Sequence, residues 1–218
     1  MSSAGTLILV GAEAAMGAEI LARMVRDGYR VITADAGDAV ALEAAVASVP
    51  ELAVLVVNLP ITRTGLRFNE VDDSAFAAAM QHQLFDVVRA AQTVLPRMRG
   101  GGRIVHVSAR GHLGAWGGVH LMAAGAALAA MTRSMALELE GEGIRVNLIA
   151  TGFVGERTDT AQRRAAVAHA VSFFAAAEGG ASGETLLLDG HAGLRMAESR
   201  RPRQPAIQAS LPHTNESP

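Results

Sequence analysis

The sequence contains no cysteine, few aromatic residues and little net charge. Without cysteine, the chain can form neither disulfides nor thiolate metal sites, and no histidine–carboxylate group has metal-ligand spacing. A net charge of -2 over 218 residues gives no positive field to attract nucleic acid or an anionic membrane. The sequence has no apolar run long enough to predict a membrane span, and it has no basic N-terminal region of the kind that predicts a signal peptide. These absences favour a soluble cytoplasmic protein without a metal.

The chain alternates short apolar runs with helical patterns, and half of its residues are apolar. This alternation predicts an α/β fold, namely a Rossmann-type, doubly wound parallel sheet in three α/β/α layers. The predicted strands are Thr6–Val10, Arg30–Ala34, 53–57, 104–107, 145–149 and Thr185–Leu188. The predicted helices run from the first glycine turn to about residue 27, and then over 39–49, 73–98, 119–140 and 161–177.

The composition changes near residue 196. Residues 1–195 carry the strand and helix patterns and are predicted to form one domain. Residues 196–218 are rich in proline, arginine and polar residues and show no periodicity, which predicts a disordered tail. The alternative is an arm that packs on a neighbouring subunit.

A glycine-containing turn, residues 11–17, lies between the first predicted strand and the first predicted helix. Backbone N–H groups at such a helix start can hold a pyrophosphate. Asp35 follows Gly11 by 24 residues, at the end of the second predicted strand. A carboxylate at this place in a dinucleotide-binding fold accepts hydrogen bonds from the ribose hydroxyls and repels a 2′-phosphate. The pattern therefore predicts NAD rather than NADP. The alternative is a turn that only packs the helix on the sheet and binds no cofactor, and the carboxylate of Glu13 favours this alternative.

Several segments together resemble the short-chain dehydrogenase/reductase family. They are the turn with Gly11, Ala15 and Gly17, then Asn58, "GRIVHVSARG" (102–111), "MTRSMALELEGEGIRVNLIATGFV" (131–154) and "SGETLLLDGHAG" (182–193). The resemblance covers about residues 6–193 in order. It implies a cofactor site formed by Gly11, Ala15, Met16, Gly17, Asp35 and Asn58, if a dinucleotide binds.

The resemblance also implies where the catalytic residues should lie. The family uses Ser, Tyr and Lys, supported by a helix Asn, for general acid–base catalysis of hydride transfer. Ser108 matches the family Ser, and Gln83 aligns with the Asn. Thirteen residues after Ser108 the Tyr position holds Leu121, and four further the Lys position holds Gly125. Neither residue can donate a proton, so the usual carbonyl reduction is not expected.

Two abbreviations accompany these substitutions. The family's long substrate lid after Gly152 is reduced to a short segment that soon enters the predicted helix at 161–177. One helix–strand unit is also missing before residue 39. A site without its lid excludes water poorly, which counts against hydride transfer.

Three functions remain open at this point. The first is a non-redox scaffold or partner subunit that forms a homo-oligomer, or a hetero-oligomer with a relative, through helices 73–98 and 119–140. The second is a repurposed lyase, isomerase or cyclase that uses Ser108, Gln83 and His112. The third is an NAD-dependent oxidoreductase with an unrecognised proton donor, for which His112, in the loop after Ser108, is a candidate.

Overall fold

Six parallel strands form one sheet in the computed structural model, which describes residues 4–35, 37–98, 100–156, 159–178 and 180–190. The strand order is β2-β1-β3-β4-β5-β6. The strands are β1 (Thr6–Val10), β2 (Arg30–Ala34), β3 (Val54–Asn58), β4 (Gly102–Ala109), β5 (Ile144–Thr151) and β6 (Thr185–Leu188). The predicted Rossmann-type fold is confirmed. The domain boundary at residue 195 and the tail 196–218 lie outside the described residues.

Helices cover both faces of the sheet. They are α1 (Gly17–Arg26), α2 (Ala39–Ala47), α3 (Asp73–Met80), α4 (Asp86–Val94), α5 (Val119–Glu138) and α6 (Ala161–Ala175). None of the helices in the described ranges is long and apolar enough to cross a membrane.

The helix predicted over 73–98 is not one regular α-helix. A π turn, Gln81–Phe85, separates α3 from α4, and a 3-10 turn, Leu95–Arg97, follows α4. Pro96 has no N–H to continue the α-helical hydrogen bonds, which accounts for the early end of α4. The helix predicted over 119–140 also ends early, at Glu138.

Each central strand is buried on both faces, as a parallel sheet requires. Leu55 and Val57 of β3 pack with α2, α4 and α5, whereas Val54 and Val56 pack with α1 and α6. This explains why the strand appears in the sequence as a continuous apolar run without alternation.

The helix–strand unit that the sequence predicts to be missing would stand between β2 and β3. Only residues 35–38 separate β2 from α2, and the described residues from there to β3 contain no further strand. The strand order reverses between β1 and β3, so the carboxyl ends of these strands form the topological switch point where open α/β sheets bind ligands.

Candidate functional site

The glycine turn after β1 is shaped by its contact with β3. Gly11 has φ 78°, and a Cβ on it would lie 2.2 Å from the carbonyl oxygen of Asn58. A Cβ on Gly17 would lie 2.2 Å from the carbonyl oxygen of Ala12. Both positions therefore require glycine for the packing of the turn itself, whether or not a ligand is bound.

Asn58 holds the same turn from the end of β3. Its side chain is fully buried, and Nδ2 donates to the carbonyl oxygens of Gly11 at 2.9 Å and Ala15 at 3.1 Å. Oδ1 has no hydrogen-bond partner within the described structure. Met16 precedes α1 with φ 72°, a conformation no other described non-glycine residue adopts, and its side chain packs in the core. The fold therefore stabilises a strained turn here.

The start of α1 and the end of β2 complete this crevice. The helix N-terminus provides a partial positive charge suited to a phosphate. Asp35 directly follows β2 and is exposed, and its Oδ1 accepts the Gly37 N–H at 2.8 Å. Glu13, also exposed, places a second carboxylate in the turn. All six predicted cofactor residues thus lie at the ends of β1, β2 and β3.

Ser108 and Gln83, two of the predicted catalytic residues, are in contact. Ser108 lies in the buried carboxyl-terminal part of β4 and donates its hydroxyl hydrogen to Oε1 of Gln83 at 3.0 Å. Gln83 lies in the π turn, and both side chains are buried. π turns inside helices often occur at functional sites. The pair is a buried polar contact between β4 and the π turn.

Leu121 and Gly125, predicted to stand at the family's Tyr and Lys positions, face packed protein. Leu121 packs against an apolar cluster at the carboxyl ends of the strands, formed by Ile61, Ala109, Met122 and Phe153. A Cβ on Gly125 would lie 3.1 Å from Cα of Gly111, in the 3-10 turn after β4. The backbone of that turn therefore rests directly on α5, where a longer side chain at residue 125 would have to begin.

Two extended segments meet across the end of β4. The N–H of Val154, after β5, donates to the carbonyl oxygen of Ile61, after β3, at 3.0 Å. Thr62 and Val154 form a parallel β-bridge. Because β4 lies between β3 and β5, this closing bridge spans the strand that carries Ser108.

A charged group packs against the closing bridge. Arg110 is buried, lies 3.2 Å from a carboxylate oxygen of Glu156, and is 3.6 Å from Asp189. Its guanidinium carbon is 4.7 Å from the centre of the Phe153 ring. Arg63 reaches the same carboxylate of Glu156 at 3.5 Å. The charges of these side chains compensate one another, and both arginines lie over the phenyl ring.

The structure does not bring His112, the histidine predicted as a candidate catalytic residue, into contact with the Ser108–Gln83 pair by a hydrogen bond. His112 is exposed, and no hydrogen bond joins it to Ser108 or Gln83 in the described residues. Partial burial of the ring lowers the pKa of His112, and the positive charge of Arg133 on α5 lowers it further. Both effects favour the neutral imidazole at physiological pH.

Sequence reasoning missed a buried polar pair behind Ser108. Nδ1 of His106 lies 3.0 Å from the hydroxyl oxygen of Thr132, which itself donates to Leu128. Nδ1 of His106 is therefore the donor, and Nε2 has no partner within the described part. Complete burial lowers the pKa of His106 to about 4. Because residues two apart on a strand share one face of the sheet, the sequence already placed residue 106 on the same side as Ser108.

Comparison with known proteins agrees with this architecture. A family model described as enoyl-(acyl carrier protein) reductase matches residues 4–177. The sheet, its switch point and the glycine turn define a Rossmann-type protein. The chain belongs to the short-chain dehydrogenase/reductase family.

Among curated relatives, cis-4-hydroxycyclohexanecarboxylate dehydrogenase of Sinomonas cyclohexanicum is 31% identical over 163 residues, 70% of this chain and 65% of the relative. The 3-oxoacyl-(acyl-carrier-protein) reductase of Haemophilus influenzae is 28% identical over 161 residues, covering 71% and 66%. The chain thus spans about two thirds of the length of these relatives.

Solved structures show the same fold. A short-chain dehydrogenase/reductase of Serratia marcescens has a TM-score of 0.76 and 24% identity, covering 86% of this chain and 97% of that one. A short-chain dehydrogenase of Burkholderia cenocepacia, solved in complex with NADP, has a TM-score of 0.74 and 25% identity, with the same coverage.

Proposed function

We propose that this chain is a non-redox member of its family that acts as a scaffold or partner subunit. The observation that carries the proposal is the contact at Gly125, where a Cβ would approach Cα of Gly111 to 3.1 Å. A lysine at this position has no room unless the turn after β4 moves. Leu121, at the proton-donor position, packs in an apolar cluster.

The chemistry of hydride transfer to a carbonyl supports the same conclusion. The reaction needs a group that donates a proton to the forming alkoxide, a contribution of about 10²–10⁴ in rate. Ser108 donates its hydrogen to Gln83. The nearby cation Arg110 is held in an ion pair with Glu156. Neither group offers a proton to a substrate oxygen.

The test combines binding with turnover. Isothermal titration of the purified full chain with NADH should give weak or no binding, and NADH absorbance should stay constant with ketones or a 3-oxoacyl thioester. Steady NADH consumption with any of these substrates would overturn the proposal. Tight NADH binding without turnover would leave a non-redox protein that uses the dinucleotide as a structural ligand.

Any dinucleotide binding is proposed to occur at the glycine turn and to favour NAD. The carboxylate of Asp35 directly follows β2, where it would repel the 2′-phosphate of NADP. Titration of Asp35→Asn with NADPH and NADH tests this preference, because removal of the charge should strengthen the binding of NADPH more than the binding of NADH. Asp38→Asn, which alters an exposed capping residue of α2, is the matched control.

Assembly is proposed to use the outer faces of α3, α4 and α5. Phe85 in the π turn is 55% exposed and Leu137 on α5 is 76% exposed. Large apolar side chains in such positions are typical of interaction surfaces. We propose a homo-oligomer or a hetero-oligomer with a relative. Sedimentation of Leu137→Glu should show a smaller species than the parent chain, whereas Phe173→Glu on α6 should not.

The alternative is a repurposed lyase, isomerase or cyclase, and the buried Ser108–Gln83 contact favours it. In an open cleft, a hydroxyl hydrogen-bonded to an amide can orient a substrate oxygen without redox chemistry. Under this alternative, Ser108→Ala abolishes whatever turnover a substrate screen reveals. Ser48→Ala, at an exposed hydroxyl after α2, should leave that turnover unchanged.

A further inference from the structure

An exposed aromatic cavity lies at the start of α5 and borders the apolar cluster at Leu121, with which it shares Met122. Its volume is about 670 Å³, and its lining includes Phe68, Trp116, Val119 and Met122. Trp116, the only tryptophan of the chain, is 69% exposed, and Phe68 is 81% exposed. In a protein with only 4% aromatic residues, two exposed rings around one cavity indicate a binding surface.

The walls of this cavity are held by backbone contacts. The N–H of Gly118 donates to the carbonyl oxygen of Leu66 at 2.8 Å. A Cβ on Gly117 would lie 3.3 Å from the carbonyl group of Gly65, so two loops approach each other closely. The guanidinium of Arg63 also donates to the carbonyl oxygen of Trp116. The loop that carries the indole is therefore fixed before any ligand arrives, which reduces the ordering cost of binding.

A cation stands at the rim of the cavity. Arg67 lines it and is exposed. The backbone N–H of Arg67 donates to Glu70 at 2.8 Å, and in the described ranges its guanidinium forms no ion pair. Asn69 adds an amide to the same lining. The cavity thus combines apolar walls with one positively charged side chain in its lining.

We propose that this cavity binds a small anionic amphiphile, a molecule with a planar apolar body and one carboxylate, sulfonate or similar group. The body would stack on Trp116 and Phe68, and the anion would pair with Arg67. A volume of about 670 Å³ lies within the range of small-molecule sites. Neither Ser108 nor Leu121 belongs to the lining, and Met122 is the one residue it shares with the cluster at Leu121. The proposal depends on Trp116, Phe68 and Arg67, and not on the non-redox proposal.

The sole tryptophan makes the site directly observable. The probe is 8-anilinonaphthalene-1-sulfonate, and its neutral counterpart is N-phenyl-1-naphthylamine, which has the same aromatic body without the sulfonate. We expect the sulfonate to quench Trp116 emission with a saturable, single-site isotherm. The neutral probe should bind about tenfold more weakly, because it cannot pair with Arg67.

Two matched pairs of variants test the assignment. Arg67→Gln should lower the affinity for the sulfonate about tenfold and leave the affinity for the neutral probe unchanged. Arg26→Gln, which removes an exposed arginine from α1, should change neither affinity. Phe68→Ala should weaken both probes about fivefold, and Phe173→Ala should weaken neither. Phe68 and Arg67 are exposed, so these substitutions leave the core intact, and an unchanged thermal transition verifies it.

Three results would overturn the proposal. The first is probe binding without a change in Trp116 emission, which would place the probe elsewhere. The second is equal affinity of the sulfonate for the parent chain and for Arg67→Gln. The third is a blue-shifted Trp116 emission that moves towards the red on dilution, since it would mean that a second copy of the chain covers the cavity.

Discussion

The two halves of the same sheet edge differ in what fixes them. At the ends of β1 and β3, backbone approach requires Gly11 and Gly17, and Asn58 ties the turn to the sheet. At the ends of β4 and β5, Leu121 packs in an apolar cluster and Gly125 packs against the backbone of the turn after β4. A turn that the fold itself requires is kept with or without a ligand. A proton donor is required only by a reaction, so its place can be filled by a core.

The largest effect expected from this difference between the two halves is the loss of Arg110. Arg110→Met should lower the free energy of unfolding by about 4 kcal/mol, because Glu156 and Asp189 would lose a buried positive partner. Urea denaturation measures the loss. Arg63→Met, at a more exposed member of the same group, should cost less than about 1 kcal/mol. Equal effects of the two substitutions would show that the catalytic half is not packed as a core.

The dinucleotide half is tested by Gly11→Ala. The new Cβ would lie 2.2 Å from the Asn58 carbonyl oxygen at a positive φ, so we expect a loss of about 3 kcal/mol even without cofactor. Gly28→Ala shares the positive φ but has open space around its Cβ, and should cost about 1 kcal/mol. Similar losses for both would mean that strain in φ alone explains the glycine.

A lysine restored at residue 125 should not fit. Gly125→Lys should destabilise the fold by about 2 kcal/mol, because crowding against Gly111 outweighs the gain in helix propensity. The thermal midpoint should fall by about 4–8 °C in a domain of this size. Ala126→Lys, at the exposed neighbouring position on α5, should change stability by no more than about 0.5 kcal/mol. A stable Gly125→Lys variant would show that the turn after β4 yields easily.

The smallest expected effect is a pH dependence at His106. Its folded pKa of about 4 lies below the ordinary value of 6.5 because the ring is fully buried, so the unfolded chain binds the proton more tightly. The stability contributed by the neutral ring is present above pH 6.5 and is lost as the pH falls towards about 4. From pH 7.5 to 5.5 the expected loss is about 1.3 kcal/mol.

His106→Gln should remove this part of the pH dependence, and His82→Gln, at an exposed imidazole, should retain it. Urea denaturation at both pH values compares the three proteins. An unchanged pH dependence in His106→Gln would contradict the assignment.

Local patterns predicted most of the fold. The bounds of β1, β2 and β6 agree with the structure, because short apolar runs between turn residues specify strands locally. The π turn at Gln81–Phe85 was not predicted, since it leaves the helical periodicity almost unchanged. The contact of Ser108 with Gln83 followed only from the resemblance, because the two residues come from separate elements.

The sequence alone determined the order of strands and helices, the glycine turn, and the absence of a phenol and an ammonium at residues 121 and 125. Periodicity and residue identity are local properties, so no folded structure is needed to recognise them. Only the tertiary structure decided what packs around residues 121 and 125 and over the end of β4. The bridge between Ile61 and Val154, the pairing of Arg110 with Glu156 and the cavity beside Trp116 each join segments far apart in the chain. Such contacts depend on how helices and loops pack over the sheet, which local patterns do not encode.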